Sequence, residues 1–156
     1  MKADNRDEVA PSADEALARM RGMTRFNGEL MESLGGLHVV SADPASSAVR
    51  LEAEALPRFC HTNQTVVQGG FITAWLDAAM AHAAMLDTAM TQTVASLDIN
   101  VRFLERLGPG PVVAEGRVVR RGRRVAFMSA TLTDAAGRLV ATASSSGMLV
   151  PLPAPA

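Results

Sequence analysis

The chain has 156 residues, enough for one domain with its own core and no stapling bridges. Hydrophobic residues make up 48%, and 15 Lys+Arg stand against 16 Asp+Glu, so the charge footprint of a nucleic-acid binder is missing. A single cysteine, Cys60, excludes an internal disulfide and a cysteine zinc cluster, and no apolar run reaches the roughly 18 residues of a membrane helix.

The first fifteen residues, MKADNRDEVAPSADE, are polar and acidic with no apolar centre, unlike a signal peptide. A cytoplasmic protein is expected. Residues 1–10 read as a solvated tail, 11–150 as one folded domain, and 151–156 (PLPAPA) as a second, disordered tail. Ser12 and Glu15 have the spacing of a capping box and predict a helix through about Met23. Phe26, Leu30, Met31 and Leu34 recur at helical spacing and predict a second short helix over 24–34, ended by Gly35-Gly36. Leu37 to Ser41 predicts a strand. Ser47 to Ala55 alternates, with Val49, Leu51, Ala53 and Ala55 on one face and Arg50, Glu52 and Glu54 on the other. Pro57 to Gln68 reads as a polar loop.

From Gly69 to Asp87 the sequence GGFITAWLDAAMAHAAMLD predicts one long helix, apolar on nearly every side and so enclosed by protein. The remainder reads as strands at 93–103, 111–120, 124–133 and 139–150. In the first of these, Ala95, Leu97, Ile99, Val101 and Phe103 alternate strictly with Ser96, Asp98, Asn100 and Arg102. Short turns at 108–110, 122 and 134–137 predict antiparallel hairpins. The fold class expected is α+β, an antiparallel sheet against one long helix with further helices in front. Such a sheet leaves edges that oligomerisation would protect.

Asp77 is out of character with its surroundings. Its same-face neighbours Thr73, Ala74, Met80 and Ala81 cannot neutralise a carboxylate, and a buried unpaired charge costs several kcal/mol, about 3–5. Either it faces a cavity or partner, as a general base or nucleophile would, or it caps a loop or pairs with an arginine across an interface. Gly69-Gly70 opens the same helix. Unpaired N–H groups there could polarise a carbonyl, although a glycine pair also makes an ordinary loop-to-helix junction. Eight residues of helix put Gly69 and Asp77 about 12 Å apart. If both serve one reaction, they come from two copies of the chain.

HTNQTVVQGGFITAWLDAAMAHAA, from His61 to Ala84, resembles the HxN…HGG…D signature of hotdog-fold acyl-CoA thioesterases, closest to the PaaI-like (phenylacetate-degradation) subgroup. ASLDINVRFLER and RRGRRVAFMSATLTDAAGRLVATASS add to the likeness, which covers about residues 24–150. The resemblance implies a hotdog fold, a long helix wrapped by an antiparallel sheet. It also implies hydrolysis of an acyl-CoA to a carboxylic acid and free coenzyme A, no cofactor or metal, and a homodimer or a dimer-of-dimers tetramer. Asp77 matches the catalytic carboxylate, and Gly69 the glycine whose N–H polarises the carbonyl of the substrate bound at the other subunit. Asn63 matches the residue that contacts the carbonyl or water, and Ser96 the hydroxyl near that water. Gln68 stands where the family usually has histidine; it can still donate a hydrogen bond, but it does not titrate near neutral pH.

Among the remaining candidates, His61 and Gly70 border the substrate site, His61 chiefly by orienting the loop. Arg120, Arg121 and Arg123, with Arg117 and Arg124, cluster at the Gly122 turn, where they form a solvated hairpin tip or attract coenzyme A phosphates. Phe26 and Met31 are expected to lid an acyl pocket. His82 lies about 140° around the helix from Asp77 and reads as packing, as does His38 in its strand. Two rival functions are weighed. Gln68, in place of the usual histidine, keeps a non-catalytic acyl-CoA binder open, and the lack of a histidine at partnering spacing from Asp77 weighs against an enoyl-CoA hydratase.

Overall fold

The computed structural model describes residues 12–24 and 27–152. Helix α1 (Ala13–Thr24) begins on the expected capping box: the Ser12 N–H donates to Glu15 Oε2 at 2.8 Å, and the Glu15 N–H donates back to Ser12 Oγ at 3.3 Å. Helix α2 is shorter than expected, Gly28–Ser33. Asn27 provides no side-chain cap, and Leu30 is exposed while Met31 is buried in the core. Met31 is therefore packing, not the lid of a pocket. Phe26, its expected companion, lies outside the described residues, as do the first tail and residues 153–156.

Six strands form one antiparallel sheet in the order β1-β2-β6-β7-β8-β5. They are β1 (His38–Asp43), β2 (Ala48–Ala55), β5 (Gln92–Phe103), β6 (Gly110–Arg121), β7 (Val125–Asp134) and β8 (Leu139–Pro151). The alternation in β2 holds, with Val49, Leu51, Ala53 and Ala55 all buried. Strand β8 runs one residue into the expected tail, where Pro151 pairs with Gln92 and the Leu152 N–H reaches Thr91 O at 3.0 Å. The expected loop before the long helix contains a 3-10 turn (Pro57–Phe59) and a small hairpin, β3 (Cys60–His61) with β4 (Val66–Val67).

Strands β6, β7 and β8 are the expected consecutive hairpins. Strand β5 is not paired with β6. It crosses to the far edge and pairs along its length with β8. The link 104–109 is held by the Leu104 N–H on Val140 O and by Leu107 O, which accepts from the Val67 N–H at 2.9 Å.

Helix α3 (Gly69–Asp87) has the bounds expected for a run free of proline and of internal glycine. It lies directly on β6. A Cβ on Gly116 would fall inside contact distance of the Ala79 carbonyl, so glycine there sets the helix-to-sheet distance. Trp75, Leu76, Ala79 and Ala83 are fully buried. Enclosure is not complete, however. Thr73, Ala74, Asp77, Ala81 and Met85 form a half-open stripe at helical spacing, because the sheet of one chain wraps only one side of the helix. The apolar residues of β5 show the same incompleteness: Leu97 and Phe103 are 57% and 55% exposed.

Candidate active site

Asp77 sits on that half-open stripe. Its Oδ1 accepts a hydrogen bond from Ser96 Oγ at 3.2 Å. Among the described residues no arginine or histidine lies within ion-pair distance of it. The carboxylate is thus oriented by a neutral hydroxyl and left with open acceptor capacity.

How Ser96 reaches Asp77 corrects the sequence reading. Strict alternation puts Ser96 on the face opposite Ile99, Val101 and Phe103. In the sheet the register slips between Ser96 and Asp98, a β-bulge at Leu97. Ser96 pairs with Gly147, while Ile99, Val101 and Phe103 pair with Ser145, Ala143 and Ala141. All these partners lie on the helix-facing side of β8, since directly opposed residues share a face. One extra residue therefore turns Ser96 onto the helix side. Gly147 leaves room there, for a Cβ on it would lie 2.9 Å from Val94 Cβ.

At the other end of the site, Gln68 is the N-cap of α3, and its Oε1 accepts the Gly70 N–H at 2.6 Å. Gln68 and Gly70 thus satisfy each other. Nothing among the described residues accepts the Gly69 N–H, which leaves it open at the positive end of the helix. The preceding segment is locked by aromatic packing: Phe59 stacks on Phe71 with ring centroids 4.2 Å apart, and the Gln68 N–H donates to Phe59 O at 2.9 Å. Because α3 is unbroken, Gly69 and Asp77 of one chain stay about 12 Å apart along its axis.

Asn63 lies at the exposed tip between β3 and β4, in a run of three left-handed residues, Thr62, Asn63 and Gln64, with φ of 53°, 53° and 62°. Such backbone is costly for non-glycine residues, about 1–2 kcal/mol each, and several bonds hold it. His61 Nδ1 lies 2.8 Å from Thr62 Oγ1, Thr65 Oγ1 donates to Thr62 O at 2.7 Å, and Arg106 Nη2 donates to Thr65 Oγ1 at 2.8 Å. His61 is thus one of the groups in contact with this left-handed run. Arg106 was missed, since nothing in the sequence ties it to position 65.

The arginines at the Gly122 turn divide. Arg121 is not free for a ligand: its Nε lies 2.9 Å from Asp87 Oδ2, off the N–H axis and so an ion pair rather than a hydrogen bond. Ser47 Oγ donates to the other oxygen of Asp87 at 2.7 Å. Arg117 Nε donates to Ser129 Oγ. Arg120, Arg123 and Arg124 are exposed, and no side-chain partner holds them among the described residues. His82 is buried, with Nδ1 2.7 Å from Ala78 O, and burial pushes its pKa below the ordinary value. It is a packing residue, as its angular position implied.

Comparison with known proteins bears on the family and the fold. The profile of the thioesterase superfamily matches residues 64–141. A protein of Saccharolobus solfataricus, SSO2140, provisionally named an esterase, is 38% identical over 82 residues, which is 52% of this chain and 57% of that protein. The match thus spans little more than half of that relative. A solved structure from Ralstonia eutropha JMP134, described as a phenylacetic acid degradation-related protein and provisionally as a thioesterase, is 27% identical. It superposes with a TM-score of 0.71 over 77% of this chain and 89% of its own. The Streptococcus mutans UA159 protein smu.793, solved with bound acetyl CoA, has the same fold at 18% identity. Its TM-score is 0.64, over 74% of this chain and 89% of its own. With half its length matched by that profile and its helix and sheet laid out as in those structures, the chain belongs to the thioesterase superfamily and has the hotdog fold.

Proposed function

We propose that the protein hydrolyses an acyl-CoA thioester to a carboxylic acid and free coenzyme A, at sites shared between two copies of the chain. The observation that carries this reading is the Asp77 carboxylate, oriented by Ser96 Oγ at 3.2 Å on the face of α3 that the chain's own sheet leaves open. Asp77 activates water or attacks the thioester carbon directly. The developing oxyanion takes a hydrogen bond from the open N–H of the partner subunit's Gly69. Within one chain the helix rise keeps the two groups apart, and a two-fold axis passing near Thr73 would bring each Asp77 opposite the other Gly69. Thiolate is a good leaving group, so a carboxylate and one polarising N–H suffice without a catalytic triad.

Asn63 positions the carbonyl or the water. Gln68 acts through the helix: by taking the Gly70 N–H it leaves Gly69 as the open donor. Coenzyme A phosphates are assigned to Arg120, Arg123 and Arg124, and not to Arg121, which Asp87 holds. The acetyl CoA in smu.793 supports this substrate class. The minimal assembly is a homodimer, with pairing of dimers into a tetramer as the resemblance implies. With one cysteine and so no internal disulfide, the proposed compartment is the reducing cytoplasm.

A panel of acyl-CoAs assayed for thiol release tests the reading, with turnover expected on at least one acyl chain. Tight binding without turnover on any chain would replace it by the non-catalytic binder. Loss of enoyl absorbance without thiol release would replace it by the hydratase.

A further inference from the structure

We infer that Phe103 is the specificity-determining residue of this site, the wall on which the acyl group of the substrate packs. The inference rests on the thioesterase reading. Phe103 ends β5 opposite Ala141, which is fully buried, so its ring turns to the helix side of the sheet. It nevertheless remains 55% exposed.

The ring meets α3 tip first at Gly69. A Cβ built on Gly69 would lie 3.0 Å from Cζ of Phe103, 3.3 Å from Cε1 and 3.7 Å from Cε2. Even a methyl group at position 69 would thus push the ring. The first turn of the helix has one N–H closed by Gln68 Oε1 and another open beside this ring. A thioester carbonyl bound to the Gly69 N–H carries its acyl carbons one or two bonds from the oxygen, within reach of the ring. Val101 and Ile99 continue the apolar face from Phe103 along β5. An acyl chain lying there covers surface that a single chain leaves in water, and burial of that surface favours it. The occupant is an apolar acyl chain longer than acetyl. Gly69 is glycine because the ring occupies the space a side chain would need.

The test compares kcat/KM on straight-chain acyl-CoAs from acetyl to octanoyl for the wild type, Phe103→Leu and Phe103→Ala, with the oligomeric state followed by sedimentation. The wild type is expected to prefer longer chains. In Phe103→Ala the octanoyl-to-acetyl ratio should fall about tenfold or more, with Phe103→Leu between, since each methylene contact in an apolar pocket carries a large factor. Gly69→Ala, which keeps the N–H, should lose activity, and the double variant Gly69→Ala/Phe103→Ala should recover part of it on acetyl-CoA. A uniform fall on every chain, an unchanged ratio, or dissociation of the assembly in Phe103→Ala would overturn the inference and leave the thioesterase reading standing. A wild type inactive on every acyl-CoA would overturn both.

Discussion

Replacing Asp77 by asparagine alters charge while keeping shape. The amide oxygen can still accept from Ser96 Oγ, which lies 3.2 Å away in the wild type, so the local geometry survives. Asp77 has no cation partner among the described residues and lies on a half-open face, so no buried ion is orphaned. Folding stability should change by no more than about 0.5 kcal/mol. Activity should not survive. A positioned base contributes about 10²–10⁴-fold, which is about 2.7–5.5 kcal/mol of transition-state stabilisation. Steady-state thiol release should fall by that factor, with KM little moved and the thermal melt superimposable on the wild type. Mixing provides a second, independent reading. Combine inactive Asp77→Asn chains with inactive Gly69→Val chains and allow them to exchange. Each mixed dimer then carries one doubly damaged site and one intact site. Random pairing makes half of the dimers mixed, so about a quarter of wild-type activity should return. Full activity in Asp77→Asn would refute the role of the carboxylate, and no recovery on mixing would refute the shared site.

Ser96→Ala removes the hydroxyl that orients Asp77 and should lower kcat about 3- to 30-fold while KM holds; a pure KM effect in steady-state kinetics would place the hydroxyl on the substrate instead. Gly116→Ala puts a methyl group against the Ala79 carbonyl, where only a shift of α3 relieves it. Urea denaturation should show a loss of about 3 kcal/mol, and an unchanged midpoint would mean that helix and sheet are not in contact there. His82 is held below its ordinary pKa of 6.5 by burial, so the unfolded chain takes up the proton first. Its contribution to stability is full above about pH 6.5 and is lost as pH falls, with a slope approaching about 1.4 kcal/mol per pH unit. Thermal melts of His82→Leu between pH 7.5 and 5 should show a flatter acid limb than the wild type, and parallel limbs would exclude this histidine as the cause.

The features legible in the sequence were those written within a few residues of one another. The Ser12–Glu15 box, the buried alternation of β2 and the bounds of α3 each follow from local capping, periodicity or the absence of breakers. Asp77 was conspicuous because a carboxylate amid alanine, leucine and methionine conflicts with its neighbours at helical spacing. Long-range pairing decided the rest. Local alternation ran unbroken through residues 95–103, yet the bulge at Leu97 appears only when β5 takes its register from β8, and that slip alone carries Ser96 to Asp77. Short turns argued for neighbouring hairpins, yet the crossing of β5 to the sheet edge is what brings Phe103 to Gly69, 34 positions earlier in the chain. Sequence periodicity encodes which side of an element is apolar. Which surface that side meets, and what it leaves uncovered, depends on contacts between segments far apart along the chain, and those exist only once it has folded.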